Sequence, residues 1–249
     1  MNYYGKTDIG KKRANNQDCF GCRRLDCGMT LLAVCDGMGG VKGGEIASSL
    51  ALDTFLSACE RDLKRDMEYP QIRGVLSAAV HEANTAVFRK GNENEELSGM
   101  GSTLVAALMR DGDEFVYIIN VGDSRAYSVC GEEIVQLSFD HSYVQYLIDK
   151  GEITPEEAAT HPDRHVITRA VGVNDSVRPD IDVVDINKKE ALPYYLLLCT
   201  DGLTGMISDS DIRNYITESK TDAQRLDSLI NAANNAGGED NVTVLIAEL

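Results

Sequence analysis

An α+β sandwich, with antiparallel-rich sheets packed on each other and helices on their outer faces, is the architecture this 249-residue sequence predicts. Three observations carry the expectation. Short apolar runs recur along the chain, and the middle ones are joined by turns of two or three residues, which is hairpin spacing and too short for βαβ crossovers. Long segments between the runs carry apolar residues at the helical period, so each has one face to bury. Sheets packed together with helices outside bury both kinds of stripe at once.

In chain order, the strand-like runs are Thr30–Cys35, Thr103–Met109, Phe115–Asn120, Arg125–Val129, Ile134–Leu137, Tyr195–Thr200 and Val242–Ala247, with a further apolar alternation opening at Asp18. Asp111-Gly112-Asp113 and Gly131-Glu132 are turn sequences, so the middle group is expected to form an antiparallel meander. The first helix places Ile46, Leu50, Leu56 and Cys59 near one face. The second carries the stripe Ile72, Val75, Leu76, Ala79, Val80, Ala83 and Val87, and a third near the end carries Ala223, Leu226, Leu229, Ile230 and Ala233. Thr221 and Gln224 fit a capping box for that third helix. No repeat, low-complexity stretch or Pro/Ser linker divides the chain, so residues 1–249 read as one domain. Residues 140–179, rich in charge and histidine, read as a surface flap. Thr154-Pro155-Glu156-Glu157 starts a short helix there, with an N-cap, a Pro at N1 and a Glu at N3.

Composition narrows the function. The formal net charge is −16, which disfavours nucleic acid and anionic membranes but accommodates divalent cations. No apolar run reaches the ~20 residues of a membrane span, and the first residues are polar. The seven cysteines are odd in number and scattered, with Cys35 and Cys199 inside apolar runs. That pattern suits small core residues in a reducing compartment, and the expectation is a cytoplasmic protein. Cys19, Cys22 and Cys27 lack the second pair a structural zinc needs. Cys59 and Arg65 have the Cys-x5-Arg spacing of cysteine phosphatases, but the residues between them are charged helix formers and not a glycine-rich phosphate loop.

The acidic residues are placed with more order. Asp36-Gly37 and Asp201-Gly202 follow apolar runs directly, Asp240-Asn241 precedes one, and Asp123 lies between two. If the last strand runs antiparallel to the two others, Asp36, Asp201 and Asp240 reach one rim of the sheet. Carboxylates crowded together repel unless a cation joins them, and oxygen-only ligation selects hard ions such as Mg²⁺ or Mn²⁺. Taken alone, the spacing points to a metal hydrolase.

The ordered motifs Arg13-x-x-Asn16-Gln17-Asp18, Asp36-Gly37-Met38-Gly39-Gly40, Gly101-Ser102-Thr103, Gly122-Asp123-Ser124-Arg125, Asp201-Gly202 and Asp240-Asn241 resemble the PP2C-type (PPM) phosphatases, the bacterial branch above all, over essentially the whole chain. The resemblance implies a β-sandwich in α/β/β/α layers. It also implies a serine/threonine protein phosphatase in which metal-activated water attacks the phosphate without a phosphoenzyme intermediate. It assigns Asp36 as bridging ligand of two Mn²⁺ or Mg²⁺ ions, and the Gly37 carbonyl, Asp201 and Asp240 as further ligands. Asp123 and Asp201 would share a third ion. Arg13 would bind the substrate phosphate, and Asp18 would act through metal-bound water. The partners implied are phosphoserine and phosphothreonine proteins and a cognate Ser/Thr kinase. Two departures stand out: Gln17 replaces a frequent Glu, and Met38 replaces the eukaryotic acid histidine, leaving His141 as a candidate proton donor. A small-molecule phosphoesterase and a silent phosphoprotein binder are the competing readings; loss of ligand aspartates would mark the second, and all are present.

Overall fold

The computed structural model describes residues 2–186, 194–219 and 221–249. Its strands are β1 (Asn2–Asp8), β2 (Asp18–Arg24), β3 (Met29–Met38), β4 (Gly101–Ser102), β5 (Leu104–Arg110), β6 (Phe115–Val121), β7 (Arg125–Cys130), β8 (Glu133–Gln136), β9 (Asp180–Asp185), β10 (Tyr194–Cys199) and β11 (Val242–Glu248). Its helices are α1 (Gly40–Asp62), α2 (Tyr69–Glu93), α3 (Tyr143–Asp149), α4 (Pro155–Ala158), α5 (Asp201–Thr204), α6 (Asp209–Glu218) and α7 (Asp222–Asn235). The strands form two antiparallel sheets, ordered β1-β11-β10-β7-β8 and β2-β3-β5-β6-β9, with β4 paired to the end of β3.

The side-chain alternation of β3 shows how the layers arise. Leu31, Ala33 and Cys35 point one way and pack with Phe55, Leu56, Ile72, Leu76 and Val80 of α1 and α2. Leu32 and Val34 point the other way and meet Leu196, Leu198 and Leu245 of the opposite sheet. The outer face of that sheet, Val129, Leu197, Val244 and Ile246, is covered by Ile212 and Ile216 of α6 and Leu226, Leu229 and Ile230 of α7. The result is the expected α/β/β/α stack. These strands are apolar on both faces because both faces are covered, so they read as continuous runs.

The expected meander is not one sheet. The β5–β6 hairpin belongs to one sheet and the β7–β8 hairpin to the other. The chain crosses between them at Gly122-Asp123-Ser124. Gly122 has φ 111°, and a Cβ there would stand 2.6 Å from the Thr103 side chain, so only glycine makes this crossing. Likewise, β3 lies in one sheet while β10 and β11, antiparallel to each other, lie in the second. Asp36 and the Asp201–Asp240 pair therefore come from different sheets and meet at one end of the sandwich, not along one sheet's rim.

Besides the two-residue β4, two strands escaped the sequence pattern. β1 is a largely polar edge strand held by β11, and β9 is a charged edge strand held by β6. In α1 the buried stripe runs through Ala47, Ala51, Phe55 and Cys59, with Ile46 and Leu50 at its half-buried margin. The α4 capping box forms as expected, and the Thr221 hydroxyl accepts the Gln224 N–H at the start of α7. Cys19 packs into the helix-side core and Cys22 into the inter-sheet core, so strand alternation separates the CxxC pair across the sheet. Cys59 is buried in α1, within regular helix. Among the described residues no helix is long and apolar enough to cross a membrane.

Candidate active site

A cleft of about 780 Å³ opens at the end of the sandwich where the two sheets meet. Asp36, Asp123, Asp201 and Asp240 line it, with Arg13, Gln17, Gly37 and Met38. Asp18 lies directly beneath, paired in register with Asp36 across β2 and β3.

Backbone bonds hold each carboxylate in place. The Asp36 N–H donates to Thr103 Oγ1 at 2.9 Å, and its carbonyl accepts from Thr103 N at 2.8 Å and Ser102 Oγ at 3.0 Å. Thr103 Oγ1 also lies 2.7 Å from Ser124 Oγ, next to Asp123. The Gly101-Ser102-Thr103 motif thus works as a polar rivet between Asp36 and the Asp123 turn. Gly37 N–H donates to the Gln17 carbonyl at 3.0 Å, and any Cβ on Gly37 would collide with the Gly44 carbonyl. Asp201 begins α5, whose Gly202 packs against the Asn241 backbone where a side chain would not fit.

Asn241 has a role its motif alone did not announce. Its Nδ2 donates to the carbonyls of Ile9 and Asn15, and its Oδ1 accepts from Gln17 N. It therefore clasps the segment that carries Arg13 and leads into Asp18. Gln17 in turn donates from Nε2 to the Gly40 carbonyl at 2.9 Å. A glutamate could not make that bond, so the replacement of Glu is absorbed by the mouth of α1.

Burial and mutual repulsion raise the carboxylates of the cleft together. Burial holds Asp18 up at about 7, against the hydroxyls of Thr243 and Thr200 that donate to its Oδ2, with Asp201 and Asp240 pushing it further up. Asp36 is raised well above the ordinary carboxylate range, first by burial and then by Asp18, Asp201, Asp123 and Asp240. Asp123 is raised by burial and by Asp201 and Asp140, and Asp240 by burial and Asp201. Asp18 Oδ1 and Asp201 Oδ1 are buried with no hydrogen-bond partner. Orphaned, mutually repelling carboxylate oxygens fit hard divalent cations. Among the described residues no three His, Cys, Asp or Glu side chains converge on a single point. Asp36, Asp123, Asp201 and Asp240 line the cleft without forming an all-protein cage, a donor set that would suit a hard cation keeping several waters, as Mg²⁺ does.

Three side chains decide what surrounds the carboxylates, and the placement of one of them, His141, differs from expectation. Arg13 lies at the cleft rim but donates to Asp240 Oδ2 at 2.6 Å, so one carboxylate is shared between the guanidinium and the expected ligand set. His141 is not in the cleft: it is buried, with both ring nitrogens engaged behind the Asp123 turn, and no leaving group could reach it. The imidazole that lines the cleft is His165, 3.9 Å from Asp201, whose carboxylate raises it above its ordinary value against partial burial. Only the histidine richness of residues 140–179 hinted at it. Arg164, one residue earlier, reaches to 4.0 Å from Glu239 on the opposite rim.

A family model described as protein phosphatase 2C matches residues 8–240. Protein phosphatase PhpP of Streptococcus pneumoniae is 38% identical over 243 residues, covering 98% of this chain and 95% of that protein. Serine/threonine phosphatase stp of Listeria monocytogenes is 36% identical, covering 98% and 94%. Among solved structures, serine/threonine phosphatase Stp1 from Staphylococcus aureus superposes with a TM-score of 0.91 at 37% identity, over 99% of this chain and 94% of that one. The Mycobacterium tuberculosis serine/threonine phosphatase PstP/Ppp superposes at 0.85 and 35% identity, over 100% and 98%. Two sheets meeting at an aspartate-lined cleft, in a chain that matches this family along nearly its whole length, leave one assignment: the chain belongs to the protein phosphatase 2C family.

Proposed function

We propose that the cleft of this serine/threonine protein phosphatase hydrolyses phosphoserine and phosphothreonine in proteins with the help of Mn²⁺ or Mg²⁺, two ions held tightly and a third more loosely. Asp36, the Gly37 carbonyl, Asp201 and Asp240 would hold the tight pair, and Asp123 with Asp201 the third. The observation that carries the reading is the convergence of Asp36, Asp123, Asp201 and Asp240, from both sheets, on one cleft, with Asp201 Oδ1 buried and partnerless among them. Bound there, the cations supply a water nucleophile at neutral pH and offset the phosphoryl charge.

The chain's own residues do the rest. Arg13 stands on a half-exposed rim, where its planar fork can exchange the Asp240 carboxylate for two phosphoryl oxygens. Asp18 accepts two hydroxyl bonds that fix its Oδ2 and leave Oδ1 buried without a partner, next to Asp36 across the β2–β3 pair. The Ser102–Thr103 rivet keeps Asp36 from shifting as charge develops, which is the preorganisation that makes such a site effective. Residues 1–249 act as one phosphatase domain with 140–179 as a flap over the cleft. The bridge between Ser142 and Ile167, which folds the first part of this segment back on itself, supports that division. Its substrates would be produced by a Ser/Thr kinase in the cytoplasm.

The test is turnover of a phosphothreonine peptide and of a small aryl phosphate after EDTA treatment, with and without added Mn²⁺. Hydrolysis of both that vanishes with EDTA and returns with Mn²⁺ is expected. Full activity in metal-free buffer would overturn the metal role, and turnover of the aryl ester alone would overturn the protein substrate.

A further inference from the structure

We propose that His141 is a positioning residue that fixes the Gly122 peptide, and through it Asp123, while joining that turn to the base of the flap. The inference rests on the assignment of Asp123 to the catalytic cleft.

Gly122 makes the crossing between the sheets at φ 111°, a conformation open to glycine and otherwise strained. Glycine also has the most mobile backbone, so a turn that depends on it holds a neighbouring carboxylate only if something else pins it. His141 pins it from both sides. Its backbone N–H donates to the Gly122 carbonyl at 2.9 Å, and its ring Nδ1 accepts the Gly122 N–H at 3.1 Å. Asn120 reinforces the clamp, donating from Nδ2 to the carbonyls of Gly122 at 3.1 Å and Phe139 at 2.7 Å.

The other contacts of the ring fix its tautomer. A backbone N–H can only donate, so Nδ1 must carry the lone pair and Nε2 the proton. Nε2–H then donates to Asp180 Oδ2 at 2.9 Å. Arg169 Nη1 donates to the second oxygen, Asp180 Oδ1, also at 2.9 Å. The close approach of Nη1 to Nε2 is that of two donors sharing one carboxylate. The ring is buried, and burial first, then Arg169, holds its pKa below the ordinary value, which keeps it neutral with Nδ1 free to accept. The His141 carbonyl meanwhile accepts from Thr168 N at 2.7 Å, three residues from His165 in the cleft. One side chain and its peptide thus tie together the Asp123 turn, the flap at Thr168 and β9.

The two ring nitrogens separate the functional contact from a structural one. In His141→Asn, Oδ1 falls where Nδ1 was and can accept from Gly122, while the link to Asp180 is lost. In His141→Gln, the longer amide reaches Asp180 but leaves the Gly122 N–H without a partner. The measurements are kcat and KM on the phosphothreonine peptide with Mn²⁺, and hydrogen exchange of the Gly122 amide in the metal-free protein. His141→Gln should lower kcat about tenfold or more with KM little changed, and should speed Gly122 exchange by a similar factor. His141→Asn should stay within about threefold of wild type in both. Asp180→Ala, which removes the Nε2 partner and spares Nδ1, should follow His141→Asn, and it decides the matter if His141→Gln does not fold. Equal losses in the Asn and Gln variants, no loss in either, or a loss in Asp180→Ala matching that of His141→Gln would overturn the proposal. An inert wild type would instead overturn the phosphatase reading, and Gly122 exchange would then decide the positioning role alone.

Discussion

Replacing Asp18 by Asn is expected to stabilise the metal-free protein at neutral pH. In the fold, burial raises Asp18 from an ordinary 3.8 to about 7. A carboxyl group whose folded pKa lies above its unfolded one binds its proton more tightly when folded. It costs nothing below about pH 4, and its cost grows as pH rises and levels off above about pH 7. At about 1.4 kcal/mol per pH unit, the full cost is about 4 kcal/mol. Asparagine keeps an oxygen for the Thr200 and Thr243 hydroxyls, which both donate to Oδ2. Its amide, however, falls where Oδ1 has no partner, a buried donor left unsatisfied at about 1–3 kcal/mol. The net gain is about 1–3 kcal/mol at pH 7.5, or roughly 3–10 °C in Tm for a chain of this size. Thermal unfolding in EDTA between pH 4.5 and 8 should show the variant ahead at pH 7.5 and the two curves converging toward pH 5. Added Mn²⁺ should raise the wild type more than the variant. A variant no more stable than wild type at pH 7.5 in EDTA would show that Asp18 is not held charged against its surroundings.

The remaining expectations concern turnover. Asp36→Asn should lower kcat about a hundredfold or more while the chain stays folded, and near wild-type rates at saturating Mn²⁺ would remove Asp36 from the ligand set. Arg13→Ala should raise KM and lower kcat/KM for phosphopeptides. The loss of one charge-assisted contact is worth on the order of 1.5–3 kcal/mol before screening, so about tenfold on this half-exposed rim. Unchanged kinetics would leave Arg13 as a rim ion pair. Asp123→Ala should keep two tight ions in calorimetric titration and lose turnover, more for a phosphothreonine peptide than for an aryl phosphate, whose leaving group needs less protonation. Loss of a tight ion, or equal slowing of both esters, would refute the third-ion role.

Much of this protein is legible in its sequence because local chemistry imposes it. β3, β10 and β11 are continuous apolar runs, since both of their faces are covered, and each meets an aspartate at the end that opens on the cleft. The α2 stripe and the α4 capping box depend only on residues a few positions apart. A lone Asp-Gly is an ordinary turn, but Asp36, Asp123, Asp201 and Asp240 could be named because all four fall beside apolar runs and in the order of the family's motifs.

What depended on distant pairing was settled by the tertiary structure. β1 and β9 are strands because β11 and β6 offer them free edges; their own residues are too polar to say so. The division of the expected meander into two sheets turns on one peptide, Gly122, whose φ of 111° glycine adopts freely and where the Thr103 side chain, 19 residues earlier, leaves no room for a Cβ. His141 and His165 show the same limit. Both lie in the flap and look alike in sequence, yet one is buried behind the Asp123 turn and the other faces Asp201 across the cleft. A histidine's role is set by what its two ring nitrogens meet. Here those partners, Gly122 and Asp180 for one and Asp201 for the other, lie between 19 and 39 positions away along the chain.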